Sequence, residues 1–206
     1  MHESSLKRQH TIFQQLNQTA TYPYSLGEYC RRLAWEWVQR LMIRPSPRRA
    51  GYWRAFWLRR FGAHIETPGG IRPTAKILFP WLLAMGRYSL IGDGVTVYNL
   101  GPVRIGHHTV VSQDAYLCAG THDYTAANMP LVRKPITIGS GVWICAAAFI
   151  GPGVTIGDNS VVGARAVVVQ DVPAGVVVAG NPARIIKKRP MAVRVGVASG
   201  TTPAGT

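Results

Sequence analysis

Two neighbouring residues have types suited to moving a proton: His122 and Asp123, in the run Gly120-Thr121-His122-Asp123. An imidazole titrates near working pH, so it can take the proton of an attacking hydroxyl. The adjacent carboxylate orients that ring, contacts the molecule that gives up the proton, or closes a turn, because sequence neighbours point in different directions. Residue type alone does not separate a catalytic loop histidine from one that makes a surface hydrogen bond. His64, His107 and His108 lie in the same stretch as His122, without the close pair that a three-histidine zinc site uses. Cys30, Cys118 and Cys145 are odd in number and scattered. They show no metal or redox spacing and suit a reducing compartment. Cys145 has no evident base partner, so it reads as a small apolar filler and not as a nucleophile.

The elements that must hold these groups are set by a repeat. Ile138-Gly139, Ile144-Cys145, Ile150-Gly151, Ile156-Gly157 and Val162-Gly163 recur at intervals of six. Six is neither a helical nor an alternating-strand period. It describes short flat strands joined by tight corners, with one aliphatic side chain inward per hexad and a small residue where the backbone turns. Upstream, Ile65, Ile71 and Ile77 keep the interval, as do Met85, Ile91 and Val97, and then Ile105, Val111 and Leu117. The register slips after Ile77 and again after Val97. Three hexads make one triangular coil of about 18 residues, which gives roughly six coils between residues 64 and 183. Residues 119–135 do not fit the repeat and are expected to form a loop. His122 sits on that loop, free of the coil geometry, where rigid scaffolds often carry catalytic groups.

These residues resemble the hexapeptide-repeat acyltransferases. Tyr98-Asn99-Leu100, Gly120-Thr121-His122-Asp123, Gly141-Val142-Trp143-Ile144, the run from Gly151 to Gly157, and Ala179-Gly180-Asn181-Pro182-Ala183-Arg184 are similar to the sugar O-acetyltransferases. The run from Trp57 to Ala63 and the Phe79-Pro80-Trp81 element look closest to the colanic-acid-type enzymes of exopolysaccharide synthesis. The resemblance covers about residues 45–188. It implies an all-β fold, a left-handed parallel β-helix with N-terminal amphipathic helices, acting as a homotrimer. That handedness is an exception to the right-handed crossover rule. It implies acetyl-CoA as acyl donor, no metal, and a sugar or glycan hydroxyl of an exopolysaccharide precursor as acceptor.

The same resemblance assigns roles. His122 is the general base, with Asp123 beside it. Asn99 contacts the acceptor, or else serves a coil corner. Trp143 walls the pantetheine channel or packs at a subunit interface, and the resemblance favours the active-site groove. A backbone N–H near Ala146 stabilises the oxyanion, Ala164 contacts the pantetheine, and Arg184 and Lys187 meet the phosphates of coenzyme A. Two departures stand out: Cys145 replaces the usual glycine, and Val169-Gln170 replaces a common Thr-Lys.

The 206 residues suit one elongated domain, divided into a polar tail at 1–24, a helical segment at 25–62, the β-helix at 63–189 and a small polar tail at 190–206. Ser25-Leu26-Gly27-Glu28 has the form of a capping box, opening a helix that ends near Ile43, before Pro45. Its apolar stripe is Cys30, Leu33, Ala34, Trp37, Val38 and Leu41. A second helix is expected over Tyr52–Phe61, capped by Gly62, with Trp53, Phe56, Trp57 and Phe61 as its stripe. Both stripes are expected to pack on the prism or on a neighbouring subunit. The alternative is peripheral membrane contact through residues 28–61, since basic helices carrying Trp can lie on a bilayer.

The net charge of +14 falls largely before residue 61 and in the group Arg184, Lys187, Lys188 and Arg189. It accompanies no nucleic-acid-binding motif. No apolar run reaches the ~18 residues of a membrane span, and residues 1–21 lack the apolar centre of a signal peptide. A cytoplasmic enzyme is expected, at the inner membrane face if the helices bind there. The rival readings are a serine or amino-sugar acetyltransferase, a γ-carbonic-anhydrase-like metalloprotein, and a non-catalytic β-helix scaffold.

Overall fold

The computed structural model describes Gln14 and residues 25–190, so the expected tails lie outside it except for Gln14 and Pro190. Each hexad forms a strand of two or three residues, and the strands stack in parallel into three sheets. The result is the expected left-handed parallel β-helix of about six turns. Sheet I starts at His64–Ile65, sheet II at Gly70–Ile71 and sheet III at Lys76–Ile77. The inward residues of the hexads align in columns. Ile65, Met85, Ile105, Ile138 and Ile156 stack in sheet I. Ile71, Ile91, Val111, Ile144, Val162 and Val178 stack in sheet II. Ile77, Val97, Leu117, Ile150 and Val168 complete sheet III. All are buried in one continuous core. Burial of this kind contributes about 25 cal/mol per Å² of apolar surface, which makes the core additive from coil to coil. Corners need small residues: a Cβ on Gly157 would meet the Ala174 backbone nitrogen at 2.5 Å.

The register slips have one location. From sheet III to sheet I the inward residues are eight apart at Ile77 to Met85 and at Val97 to Ile105, and 21 apart at Leu117 to Ile138. The other two corners keep six. Corner III–I therefore takes every insertion in this part of the prism. The insertion at 119–135 is more regular than a loop. Gly120–His122 pairs antiparallel with Leu131–Arg133, setting His122 opposite Leu131 in a hairpin that leaves the prism.

Two helices close the N-terminal end: α1 (Leu26–Val38), continued by one π-helical turn at Gln39–Ile43, and α2 (Gly51–Arg60). The capping box at α1 is present, with Glu28 N–H donating to Ser25 Oγ and Ser25 N–H to Glu28 Oε2. The helices meet the open edge of the first coil group by group. Trp35 Nε1 donates to the Ile77 carbonyl (2.7 Å), and Ile77 N–H donates to Gln39 Oε1 (2.9 Å). Arg54 donates to the Ile71 carbonyl, and Arg59 to the Ile65 carbonyl. One strand of each sheet thus has its terminal carbonyl satisfied, which an uncovered sheet edge would leave unpaired. At the other end, Val176–Gly180 and Ala183–Lys188 form an antiparallel closing hairpin.

Of the two surfaces expected to take the apolar stripes, the prism or a neighbouring subunit, the prism does not take their main residues. On α1 it is Trp35 that is buried, while Leu33, Trp37 and Leu41 are more than half exposed. On α2 the inward residues are Arg54, Ala55 and Leu58, while Trp53 and Phe56 face outward. Val38, Trp57 and Phe61 alone of the two stripes pack against the core. The physical reason is the terminal coil, whose bare carbonyls call for donors rather than for more hydrocarbon.

Candidate active site

His122 ends the first strand of the protruding hairpin and is exposed. Its Nδ1 lies 2.7 Å from the Met129 carbonyl oxygen. A carbonyl only accepts, so Nδ1 is the donor in this contact, and in the neutral ring the lone pair is on Nε2. The hairpin sets this contact through the facing pair His122–Leu131 and the Asp123 N–H to Pro130 carbonyl bond of 3.0 Å. Asp123 does not orient the ring. Its Oδ1 accepts from Thr125 Oγ1 (2.6 Å) and from Thr125 N–H (2.9 Å), closing the turn. Those two bonds, the side-chain one first, hold its carboxyl below the usual range. Of the readings open for Asp123, the geometry supports the turn contact over orientation of the ring. The orienting group is the Met129 backbone, which no residue type announces.

Asn99 lies at the same corner, one coil nearer the N-terminus, and is fully buried. Its Oδ1 accepts from Phe79 N–H (2.9 Å) and its Nδ2 donates to the Phe79 carbonyl (2.6 Å). The amide that an acceptor hydroxyl would use is engaged by the corner of the coil before it.

The other predicted residues stand elsewhere. Trp143 is on sheet II, 48% exposed, with Nε1 donating to Ser112 Oγ at 2.9 Å. Ala146 and Ala164 follow at corner II–III in successive coils, linked by the Arg165 N–H to Ala146 carbonyl bond of 2.9 Å. Neither alanine's N–H has a hydrogen-bond acceptor among the described residues. Cys145 N–H makes the 2.9 Å ladder bond to Val162 that Gly151 makes to Val168, so the substitution leaves the corner intact. Burial pushes its thiol up from the ordinary value, away from the nucleophilic thiolate. Arg184 pairs with Ala179 near corner II–III and lines a cavity of about 360 Å³ with Gln170 and Asp171. Lys187 pairs with Val177 at the far end of the same strand, apart from Arg184.

One chain therefore holds two separate groups. The exposed His122 imidazole sits at corner III–I, and amide donors without an acceptor among the described residues sit with an arginine at corner II–III. Among the described residues no cluster of three or more His, Cys, Asp or Glu is arranged to hold a metal ion. No helix among them is long and apolar enough to cross a membrane.

A coiled prism of hexads with a histidine-bearing hairpin at its irregular corner defines a hexapeptide-repeat transferase. The chain belongs to the hexapeptide-repeat acetyltransferases. Residues 135–170 match the family described as bacterial transferase hexapeptide (six repeats). The chain is 46% identical over 155 residues to "Putative colanic acid biosynthesis acetyltransferase WcaF" of Escherichia coli K12, covering 75% of this chain and 85% of that protein. Among solved structures, it is similar to the hexapeptide-repeat acetyltransferase VCA0836 of Vibrio cholerae complexed with acetyl-CoA. That match has a TM-score of 0.73 and 28% identity, over 85% of this chain and 96% of the other. A galactoside acetyltransferase in complex with coenzyme A gives a TM-score of 0.74 at 26% identity, over 84% and 88% of the two chains.

Proposed function

We propose that the protein transfers acetyl from acetyl-CoA to a sugar hydroxyl of an exopolysaccharide precursor, with His122 as general base. The carrying observation is the His122 ring, whose Nδ1 proton is held by the Met129 carbonyl so that Nε2 is free to accept. Nε2 takes the hydroxyl proton as the sugar oxygen attacks the thioester carbon. An amide donor such as Ala146 N–H receives the charge on the carbonyl oxygen. The C–S bond then breaks, and the thiolate of coenzyme A leaves with the proton returned by the imidazolium. No acyl-enzyme forms. Ala164 lies along the pantetheine, Arg184 and Lys187 meet phosphates, and Trp143 walls the groove. Asn99 acts as a positioning residue through Phe79. The work belongs on the cytoplasmic side, where acetyl-CoA is available.

The two half-sites call for a second copy, and a homotrimer supplies it. Corners III–I and II–III bound sheet III. With sheet III of each prism facing a threefold axis, His122 of one chain comes beside Ala146 and Ala164 of the next. Sheet III has the outer surface for that role, an aromatic ladder of Tyr98, Tyr116 and Phe149 with ring centroids 6.1 and 5.8 Å apart. Tyr116→Glu should then weaken the trimer by about 10²-fold or more, because a buried carboxylate costs several kcal/mol. Sedimentation velocity reads this directly, and an unchanged trimer would put the interface elsewhere.

The reading as a whole is tested by CoA release from acetyl-CoA over a panel of free sugars and lipid-linked glycans. Acceptor-dependent release with a sugar supports it. Release with serine or with an amino-sugar nitrogen, and none with hydroxyl acceptors, would replace it.

A further inference from the structure

Among the described residues, exposed hydrocarbon is concentrated at one end of the molecule. Of the fourteen large apolar side chains left exposed among the described residues, eight lie on the helical cap between Leu26 and Phe56. On α1 and its π-helical turn they form a line: Leu26, Leu33, Trp37 and Leu41, with the exposed Cys30 between. Steps of three and four residues keep such a line on one side of a helix. At 100° per residue that side is opposite Trp35, the residue that anchors α1 to the prism. On α2, Tyr52, Trp53 and Phe56 are exposed on the side opposite Arg54, Ala55 and Leu58. The two helices adjoin, since Trp53 Nε1 donates to the Met42 carbonyl at 3.0 Å.

The same segment is strongly cationic. Residues 26–62 hold nine arginines against two glutamates. Arg54 and Arg59 are spent on strand edges, Arg31 on the Phe61 carbonyl, and Arg48 on Asp93. Arg40, Arg44, Arg49 and Arg60 have no side-chain hydrogen bond or ion pair among the described residues. Arg40 and Arg44 join Lys76 around a cavity of about 300 Å³ beside Gln39 and Tyr98, with Glu36 its only carboxylate. Three cations to one anion leave that cavity short of negative charge.

We infer that the helical cap is a docking surface for an anionic phospholipid bilayer. The Leu33–Trp37–Leu41 line and the α2 aromatics enter the interfacial layer, and the exposed guanidinium groups of Arg40, Arg44, Arg49 and Arg60 meet the lipid phosphates. Apolar area and unneutralised cations are the two contributions that add in interfacial binding. A second copy of this chain fits less well, since it would bring the same positive charge to the contact. The inference stands on the cap alone and does not depend on which acceptor is acetylated.

The test is co-sedimentation of the full chain with phosphatidylglycerol vesicles and, separately, phosphatidylcholine vesicles. Wild type should pellet with phosphatidylglycerol, weakly with phosphatidylcholine, and less as salt rises. The pair Leu33→Ser with Trp37→Ser should lower the partition coefficient about tenfold or more. The pair Arg40→Glu with Arg44→Glu should do the same and remove most of the salt dependence. All four side chains are exposed, so melting temperatures without vesicles should stay near wild type and show that the variants fold. No pelleting of wild type with phosphatidylglycerol, or pelleting of both variants to the same extent as wild type, overturns the inference. A smaller oligomer for Leu33→Ser with Trp37→Ser in the absence of vesicles also overturns it and assigns the line to a second copy. A wrong acceptor would appear in the CoA-release assay and leave vesicle binding unchanged.

Discussion

Replacing His122 with alanine is expected to lower kcat for acetyl transfer by about 10²- to 10⁴-fold, or about 3 to 5 kcal/mol of transition-state free energy. The size follows from the absence of a substitute. Asp123 is committed to Thr125, and the imidazole is held in one tautomer by Met129. Loss should fall on kcat with little change in KM for acetyl-CoA, because the residues proposed to hold the donor lie at another corner. The side chain is exposed, so the melting temperature should hold. Asp123→Ala should behave differently, loosening the turn with a loss well short of that for His122. Steady-state CoA release at saturating acceptor measures both. Full turnover by His122→Ala would move the base elsewhere and remove the assignment.

The second large effect concerns stability. Arg54 is 1% exposed and donates from all three guanidinium nitrogens, to the Ile71, Pro47 and Arg48 carbonyls and to Ser46 Oγ. Burial, then the Arg72 charge, pulls its pKa below the ordinary value, with Asp93 opposing. Arg54→Met keeps the aliphatic stem and removes every donor, leaving the buried Ile71 carbonyl and three part-buried oxygens without this partner. Each costs about 1–3 kcal/mol. A total near 3–5 kcal/mol lowers the melting temperature by about 10 °C or more in a chain of this size. Thermal unfolding followed by circular dichroism reads it. A shift under about 2 °C would mean that water replaces the guanidinium at the first coil and that the cap is dispensable.

The inward columns were legible in the hexads because a solenoid repeats one environment, and Ile65 through Val168 answer it with one side-chain type. The helices were legible too, from Ser25 and Glu28 at one end and Pro45 at the other. Their orientation was not. A stripe argument assumes that the hidden side of a helix meets hydrocarbon, whereas α2 meets bare carbonyls and turns Arg54 inward. The hairpin at 119–135 escaped notice because its two strands are three residues each and carry no alternating pattern. At the candidate site His122 stood out by type. Its partner did not, since a backbone carbonyl such as that of Met129 belongs to every residue alike. Asn99 was visible as an amide, but only the fold says that Phe79 already occupies it.

Each lengthened step between inward residues through Ile138 falls on corner III–I, and this has a bearing on how such a protein can diversify. A stretch that leaves and re-enters a solenoid at one edge can change length while the ladders on either side stay in register. Loop length itself costs little, about 0.6 kcal/mol for each doubling. That corner is therefore an address at which a hairpin can be exchanged like a cartridge, by natural recombination or in the laboratory. The edge that carries Ala146 and Ala164 keeps its fixed spacing throughout. In the proposed reaction, one half can then be re-specified while the other stays standard.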